Sequence, residues 1–424
     1  MSKSNISIIM PVYNAEAIIE NSIKSALHQT VSGLEIICID DGSVDASRAK
    51  IRQLQESYPQ IRLLEQKHMG AGPARNLGIE AAKGRYIAFL DADDEFVDEK
   101  ALEMMVEACD VEHAVICGSR RIYCMDGEEQ EAELFENYVI KENGNFIEYK
   151  DFQYDFHYQS FIFDRDFLVR NQIWFPPYMR YQDPPFFVKA MATAGRFFVI
   201  PVILYKYKCN FLKQGVVIKY TSHILHGIYD TLKIAEEKGY QKLFCTAVER
   251  IDGGFHDTIL QNLSDEALEL LLTINKMSLE ERGKGLQILS DLYKMPGRLQ
   301  SVSHSRDLMR KIVMIKQQKT GFQDFFARQG LRKVVVYGLG LFGRILVNEL
   351  RACGIEIVCG IDRKVSEYQN LLVIKPEDKV PECDALIVSL ADPEEVVAFY
   401  EEAEDVRVFA FAWMIQKIAD EIDT

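Results

Sequence analysis

Short apolar runs alternate with amphipathic stretches along the first 118 residues. The runs are typical of strands buried on both faces of a sheet, and they lie at 6–10, 34–39, 61–64, 85–90 and 114–118. Between them, apolar residues recur at helical spacing, as in Ala15–Gln29, which predicts intervening helices. We therefore predict an α/β fold with a doubly wound, mostly parallel sheet, whose ligands bind at the carboxyl ends of the strands.

The pattern changes after residue 118 and again near residue 330. Aromatic residues alternate in period two from Phe152 to Phe163, which predicts a half-buried strand. Residues 211–330 show helical spacing. A new strand starts at Lys333 and leads into a Gly-rich turn and a helix, which predicts a small C-terminal Rossmann-like α/β domain. The predicted boundaries divide the chain into three parts: 1–215, 216–330 and 331–424.

Composition narrows the functional classes. The 424 residues include 49 Lys and Arg against 64 Asp and Glu, a net charge of -15, which argues against a general nucleic-acid binder. The nine cysteines form no Cys-x-x-Cys pair, so we expect reduced thiols rather than a zinc site or a disulfide framework. No apolar run approaches the length of a membrane span, and no signal-peptide pattern is visible, so we expect a cytoplasmic protein.

Carboxylates follow two of the predicted strands. Asp40 and Asp41 come after one, and Asp91, Asp93 and Asp94 after another. Acids clustered in this way repel each other unless a cation lies between them. Magnesium or manganese typically takes one or two protein carboxylates and completes its coordination with phosphate oxygens and water. The turns therefore suit a metal–diphosphate ligand; the alternative is a solvated acidic turn.

Four motifs occur in a fixed order around these acids. They are Pro11–Asn14, Asp40–Asp45, His68–Gly78 and Gly84–Asp94. Over about residues 5–210 the set resembles the family 2 glycosyltransferases. The resemblance implies a GT-A fold and an inverting transfer of a sugar from a nucleotide-sugar, most often UDP-linked, to a glycan or lipid-linked acceptor of a cell-surface polysaccharide. It also offers a second role for the aromatic alternation, stacking on acceptor sugars.

The resemblance assigns a nucleobase pocket to the first motifs. Pro11 and Tyr13 would line it, and one acid of the pair Asp40 and Asp41 would accept a hydrogen bond from uracil. His68 stands where the family often has Asn, and it would join the donor-binding residues because both side chains form hydrogen bonds.

The resemblance also assigns residues to the diphosphate and the sugar. Arg75 would reach the phosphates or the sugar, since a planar guanidinium suits phosphate oxygens; the alternative is a plain ion pair with the acidic turns. Asp91 would contact the ribose or the sugar. Asp93 would be the ligand of Mn²⁺ or Mg²⁺.

One carboxylate suffices for an inverting transfer, because the leaving group is a nucleoside diphosphate and only the acceptor hydroxyl must lose a proton. The segment from Gln182 to Phe186 resembles the family's Glu-Asp-x-x-Phe motif, whose Asp is the general base. Asp183 is thus the predicted base, and Gln182 replaces the first acid. The alternative is that Asp183 caps the helix that Pro184 begins.

The C-terminal Gly-x-Gly-x-x-Gly turn suggests a second nucleotide site. Gly338, Gly340 and Gly343 lie between a strand and a helix, and Asp362 ends the next strand, where a ribose-binding acid belongs. The remaining chain is too short for a complete dinucleotide fold, so we expect no NAD. We expect a regulatory, small-ligand or oligomerising module, and a homo-oligomer is one consequence.

Two other functions compete with the transferase. An oxidoreductase or epimerase acting through the C-terminal turn would need a Tyr-x-x-x-Lys pair downstream of it, but that spacing occurs upstream, at Tyr229 and Lys233. A non-catalytic nucleotide-sugar scaffold would not need the retained acids and Arg75.

Residues 294–333 reverse the local charge. Ten Lys and Arg stand there against Asp307 and Asp324, with apolar residues between them. A basic, partly apolar helix can lie on an anionic membrane surface, which would bring the enzyme to a lipid-linked acceptor. The alternative is a solvated helix face.

Overall fold

The computed structural model describes residues 5–125, 127–208, 220–294, 311–312, 314–316, 321–390, 393–403 and 407–422. The chain separates into two compact units, Met1–Ala247 and Val248–Thr424. The predicted division into three parts, with boundaries at 215/216 and 330/331, stays a prediction. The two compact units do not test those boundaries.

The first unit is an α/β layer structure. Its strands are β1 (Ile6–Val12), β2 (Leu34–Asp40), β3 (Ile61–Glu65), β4 (Tyr86–Phe89), β5 (Glu95–Phe96), β6 (Ile116–Met125), β7 (Glu128–Glu131), β8 (Asn145–Glu148), β9 (Phe161–Asp164) and β10 (Arg196–Lys208). Its helices are α1 (Ile19–Leu27), α2 (Ser47–Ser57), α3 (Ala71–Ala81), α4 (Ala101–Glu112), α5 (Tyr149–Phe152), α6 (Arg165–Arg170), α7 (Asp183–Ala194), α8 (Thr221–Lys238) and α9 (Gln241–Asp252), which contains the boundary.

The strands form one mixed sheet in the order β3-β2-β1-β4-β9-β6-β10-β5, with β7 beside β6 and β8 beside β10. The neighbours β3 and β2, β2 and β1, β1 and β4, and β6 and β10 run parallel. The predicted α/β fold with a mostly parallel sheet is confirmed. Because β2, β1 and β4 are adjacent and parallel, the motifs that follow them lie side by side at one edge of the sheet.

The two faces of β1 bury different side chains. Ile6, Ile8 and Met10 point into the core that α1 and α4 cover. Ile9 faces α3, which comes so close that a Cβ added to Gly78 would lie 2.5 Å from Ile9 Cγ2. This close approach fixes α3 against the sheet, with Arg75 one turn before Gly78, at the carboxyl end of β1.

Two local predictions need correction. The helix predicted over Ala15–Gln29 is shorter, because α1 spans Ile19–Leu27. The aromatic alternation from Phe152 to Phe163 does not form one strand. The segment ends α5, passes through a 3-10 turn at Tyr158–Ser160 and becomes extended only in β9. Its rings still lie in a core, since Phe152, Tyr158, Phe161 and Phe163 are fully buried. They are buried by packing against α7 and β10 and not by alternation along a single strand.

The second unit combines helices with a separate parallel sheet. Its helices are α10 (His256–Gln261), α11 (Asp265–Arg282), α12 (Gln287–Lys294), α13 (Gly321–Gln329), α14 (Leu341–Ala352), α15 (Glu394–Ala403) and α16 (Phe411–Ile422). Its strands are β11 (Lys333–Tyr337), β12 (Glu356–Ile361), β13 (Val373–Ile374), β14 (Ala385–Val388) and β15 (Arg407–Ala410). All neighbours in the order β13-β12-β11-β14-β15 run parallel.

The basic segment lies partly within the described residues. Residues 295–310, 313 and 317–320 lie outside them. In the described part, Lys316 forms a buried ion pair with Glu349, and Arg328 pairs with Glu421. Over the described ranges, no helix has the length and apolar character needed to cross a membrane.

Candidate active site

A cavity of about 660 Å³ opens at the carboxyl ends of β1 and β4, beside the first turn of α7. Predicted site residues from five separate segments of the chain meet in its wall. They are Pro11, Tyr13, Asp41, Arg75, Asp91, Asp93 and Asp183. Asp40 and His68 are not part of the wall. The structure therefore brings the predicted donor-binding, metal-binding and basic groups to one cavity.

Arg75 joins two of the acids. Its Nη2 lies 2.6 Å from Asp91 Oδ1, and its Nη1 lies 3.2 Å from Asp183 Oδ1. The guanidinium is 4% exposed and lies 5.3 Å from the ring of Tyr158 and 5.2 Å from that of Phe175. Arg75 thus forms ion pairs with the acids, as the alternative to phosphate binding predicts. Through the contact with Asp183 it orients the predicted base.

Asp183 is the first residue of α7. Two prolines follow it, as suits a helix start, and Gly195 with φ 74° ends the helix. The carboxylate forms its hydrogen bond with Arg75 rather than with a helix N–H, so the capping alternative is not seen. Burial raises the pKa of Asp183 to about 6; Arg75 opposes this rise and Asp91 adds to it. A carboxyl with this pKa is ionised at neutral pH and still basic enough to accept a proton.

Gln182 precedes the base and is buried. Its side chain is 7% exposed, and its Oε1 has no hydrogen-bond partner within the described part of the chain. An acid at this position would lie beside Asp183 in a desolvated setting, where like charges raise each other's pKa. Because Gln182 carries an amide, Asp183 is the acid of the Gln182–Asp183 pair and has no carboxylate at the preceding position.

The acids of the β4 turn have different surroundings. Asp91 accepts a second hydrogen bond, from Gln159 Nε2 at 3.1 Å. Asp94 is buried and accepts hydrogen bonds from the Tyr205 hydroxyl at 2.5 Å and the Lys208 N–H at 2.8 Å. Burial, reinforced by Asp91 and Asp93, raises the pKa of Asp94 to about 7. Negative charge is thus concentrated at this turn, where Asp91 and Asp93 are half-exposed in the cavity wall and Asp94 is buried.

This turn fits a divalent cation shared with a phosphate ligand. Among the described residues, no three His, Cys, Asp or Glu side chains are grouped to hold a metal by themselves. One carboxylate in an acidic wall, with phosphate and water oxygens as the other ligands, is the usual arrangement for Mg²⁺ and suits Mn²⁺ as well. Asp93, the predicted metal ligand, lies in this wall.

The other end of the cavity is aromatic. The Tyr13 ring stacks on His68 with centroids 4.0 Å apart and planes at 21°. Asp41 holds the loop that carries His68, because its carboxylate accepts the N–H of Met69 at 2.8 Å and of Gly70 at 2.9 Å. It also lies 2.9 Å from His68 Nδ1. His68 therefore contributes to the site indirectly, because its ring packs against the Tyr13 ring, which lies in the cavity wall.

Asp40 has a structural environment. It is fully buried, lies 3.1 Å from Arg48 Nε and accepts the N–H of Ser43 at 3.3 Å. Asp41, the residue directly after β2, is the acid of the pair that lies in the cavity wall.

Some wall residues were missed by sequence reasoning. The set includes Arg121, Tyr123, Phe156, His157, Gln159, Arg180 and Tyr207. The aromatic alternation was the one local signal for Phe156, His157 and Gln159. Arg121 lies inside β6 in a stretch without a motif, and only the arrangement of β6 in the sheet reveals it.

The C-terminal glycine turn is built for packing. Gly338 has φ 85°, and a Cβ on Gly343 would lie 1.8 Å from the Gly338 carbonyl oxygen, while a Cβ on Gly340 would meet open space. Asp362 accepts the N–H of Leu339 at 2.7 Å and that of Lys364 at 2.7 Å. Burial favours a higher pKa of Asp362, but these backbone donors hold it below its ordinary value.

Comparison with known proteins agrees with this architecture. Residues 7–170 match the sequence profile described as Glycosyl transferase family 2. The chain is 31% identical over 214 residues to the uncharacterized glycosyltransferase EpsJ of Bacillus subtilis, covering 48% of this chain and 61% of that protein. It is 45% identical over 102 residues to an Escherichia coli protein named UDP-Glc:alpha-D-GlcNAc-diphosphoundecaprenol beta-1,3-glucosyltransferase WfgD, covering 24% of this chain and 39% of that protein. The match thus spans less than two thirds of either relative.

The fold also resembles that of solved structures. The crystal structure of residues 1–349 of S. aureus TarS in complex with UDP-GlcNAc superposes with a TM-score of 0.54 at 16% identity, covering 77% of this chain and 93% of that one. The fold, the profile match and the relatives agree. Residues 7–170 therefore form a glycosyltransferase family 2 domain.

Proposed function

We propose that this protein is a metal-dependent inverting glycosyltransferase. It would move a sugar from a UDP-linked donor to a glycan or lipid-linked acceptor of a cell-surface polysaccharide, at the cytoplasmic face of the membrane. The observation that carries the proposal is the meeting of Asp183, bound by Arg75, with Asp91 and Asp93 in the wall of one cavity. The donor class is supported by the similar E. coli protein, which is named as a UDP-glucose-dependent enzyme, and by the TarS structure, which holds UDP-GlcNAc.

The donor would lie along the carboxyl ends of β2, β1 and β4. Tyr13 is 47% exposed at the aromatic end and offers a ring face to the nucleobase, backed by His68. Pro11 and Asp41 complete this end of the wall. Asp91, held by Arg75 and Gln159, would accept hydroxyl hydrogen bonds from the ribose or the sugar.

Asp93 would hold Mn²⁺ or Mg²⁺ together with the donor diphosphate. When bound, the ion would supply positive charge that stabilises the departing diphosphate. Binding energy from the nucleotide would hold the anomeric carbon in position for attack.

Asp183 would act as the base. The acceptor hydroxyl oxygen forms a bond to the anomeric carbon while the bond from that carbon to the phosphate oxygen breaks, and the diphosphate leaves with the electron pair. The hydroxyl proton passes to Asp183. One displacement inverts the configuration, and Arg75 keeps the carboxylate oriented throughout.

The C-terminal unit has no established ligand. Its Asp362 carboxylate accepts the Leu339 N–H, so the hydrogen bond seen here holds the glycine turn itself. We therefore keep for this unit the proposal of a regulatory, small-ligand or oligomerising module and do not propose NAD chemistry.

A panel of radiolabelled nucleotide-sugars tests the proposal. The full chain would be incubated with each donor and Mn²⁺, with bacterial lipid-linked and glycan acceptors or with water alone. Manganese-dependent release of UDP from one donor, lost in Asp183→Asn, is the expected result. Absence of binding and turnover with every UDP-sugar would overturn it.

A further inference from the structure

Among the residues that the structure describes, Arg121 is a buried cation without a counter-anion. Its side chain is 1% exposed, yet it lies in the cavity wall. Arg121 takes part in none of the ion pairs of the described residues, and its Nε has no hydrogen-bond partner. Leaving a charge unpaired in a desolvated site is costly. Arg121 therefore differs from Arg75, which has two carboxylates.

Aromatic rings and one histidine hold the guanidinium in place. It lies 5.3 Å from the ring of Tyr123, 5.0 Å from that of Tyr205 and 5.4 Å from that of Tyr207. Such contacts stabilise a cation but do not neutralise it. Nη1 lies 2.9 Å from His157 Nδ1, which must accept because a guanidinium only donates.

The tautomer of His157 follows from this contact. With Nδ1 as acceptor, the proton of the neutral ring is on Nε2, which lies 3.2 Å from the Tyr123 hydroxyl. The two side chains therefore present a prearranged pair in which one member is positively charged and the other fixes its orientation.

A second cavity of about 420 Å³ adjoins this pair. Tyr123 and His157 line both cavities. The remaining wall of the second cavity includes Gln130, Glu131 and Tyr154, which offer hydrogen-bonding groups suited to sugar hydroxyls. A ligand could therefore extend from the reacting centre past Arg121 into this space.

The order of the sheet separates Arg121 from the proposed nucleotide end. Asp41, Tyr13 and Asp93 follow β2, β1 and β4 in that order across the sheet, and β6 with Arg121 lies two strands beyond β4. At about 4.8 Å per strand, β6 is roughly 14 Å from β1. Arg121 thus lies beyond the acidic turn, on the side that opens to the second cavity.

We propose that Arg121 and His157 form an acceptor subsite for an anionic group, a carboxylate or a phosphate, on the sugar chain that receives the transferred residue. This inference rests on the proposed function and deepens it by naming the charge class of the acceptor. A planar guanidinium can bind two oxygens of either group, and the bound anion would supply the charge that Arg121 lacks.

Paired probes test the subsite in the full chain. A rise in melting temperature with UDP and Mn²⁺ first establishes donor binding, independently of the acceptor. Calorimetry on the UDP-saturated protein then compares methyl β-D-glucuronide with methyl β-D-glucoside, and N-acetylglucosamine 1-phosphate with N-acetylglucosamine. We expect one anionic probe to bind at least tenfold more tightly than its neutral partner, since a charged hydrogen bond contributes about that much. The pair that shows the difference identifies carboxylate or phosphate.

Variants locate the effect. Arg121→Met should abolish the preference for the anionic probe. His157→Leu, at a half-buried position, should reduce that preference at least threefold. If Arg121→Met does not fold, the His157→Leu result tests the subsite. Arg85→Met is the matched control, because Arg85 also lies over a tyrosine ring, at 4.9 Å from that of Tyr86, but outside the cavity; the preference should persist.

Three outcomes would overturn the subsite. The first is equal affinity for charged and neutral probes in protein that binds UDP. The second is a preference for the anionic probe that survives in the Arg121 and His157 variants. The third is displacement of the anionic probe by UDP, which would assign Arg121 to donor binding. Failure of UDP to bind would instead overturn the proposed function, and the same titration without UDP would still report on the anion site.

Discussion

Arg75 Nη1 lies 3.2 Å from Asp183 Oδ1, although 108 residues separate the two in the chain. The same guanidinium holds Asp91 with its other terminal nitrogen. The predicted base and the predicted sugar-contacting acid are therefore parts of one ion-pair network. This explains why the partly buried carboxylate of Asp183 can remain ionised near neutral pH.

Removing the base should stop the chemistry without removing the donor. For Asp183→Asn we expect the transfer rate to fall about 10²–10⁴-fold, the usual contribution of a positioned base, while UDP affinity stays within a few-fold. Asp166→Asn, at an exposed acid in the first turn of α6, is the control and should keep the rate. Full transfer by Asp183→Asn, measured with radiolabelled donor, would remove Asp183 from the mechanism.

The pH dependence should report Asp183. Arg75, Asp91, Arg180 and buried Tyr158 face this carboxyl, and its pKa is about 6. The base works when ionised, so kcat/KM should fall about tenfold per pH unit below pH 6 and level off above it.

Arg75 should set the position of that acid limb. Because Arg75 lowers the pKa of Asp183, Arg75→Met should move the limb to higher pH. The control is Arg62→Met, which removes a similar pair with Glu35 outside the cavity and should leave the limb in place. A limb that does not move in Arg75→Met would contradict the assignment.

Restoring an acid before the base should disturb it. Gln182→Glu places a carboxyl in a buried position beside Asp183, so both pKa values should rise. The variant should lose stability progressively as pH rises from about 4 toward 7, because the folded state then holds a proton that the unfolded chain releases. Gln172→Glu, at an exposed position, should show neither effect. Thermal unfolding at pH 5 and pH 7 measures the difference.

The approach of α3 to β1 should be sensitive to one methyl group. In Gly78→Ala the new Cβ would lie 2.5 Å from Ile9 Cγ2 and 3.0 Å from Ile39 Cδ1, so we expect a loss of about 1–3 kcal/mol. Gly254→Ala meets no atom within 4 Å and serves as the control. Denaturant unfolding checks the stability; equal stability of the two variants would show that α3 can move away from the sheet.

Metal removal should act through Asp93. Chelation of divalent ions is expected to abolish the UDP-sugar-dependent rise in melting temperature, and added Mn²⁺ should restore it in the native chain but not in Asp93→Ala. Asp98→Ala, at an acid that lies beyond β5 and outside the cavity wall, should behave like the native protein. A rise that persists under chelation would contradict a shared metal–diphosphate site.

Local sequence patterns determined the elements and most of the cavity. Apolar runs encode the parallel strands because a strand covered on both faces must be apolar throughout. The motifs that follow β1, β2 and β4 were predicted to meet because parallel strands end at one edge. The first turn of α7 was also visible locally, since Asp183 and its prolines are adjacent in the sequence.

Tertiary structure alone decided how the side chains pair. Asp40 pairs with Arg48, whereas Asp41, directly after β2, lies in the cavity wall. Arg75 could have met phosphate or carboxylate, and its partners became clear only when α3 and α7 were placed. Arg121 gave no local signal because its isolation as a buried cation depends on β6, β10 and His157 together. Charge pairing depends on distances between segments that are far apart in the chain. Local sequence patterns carry no information about those distances.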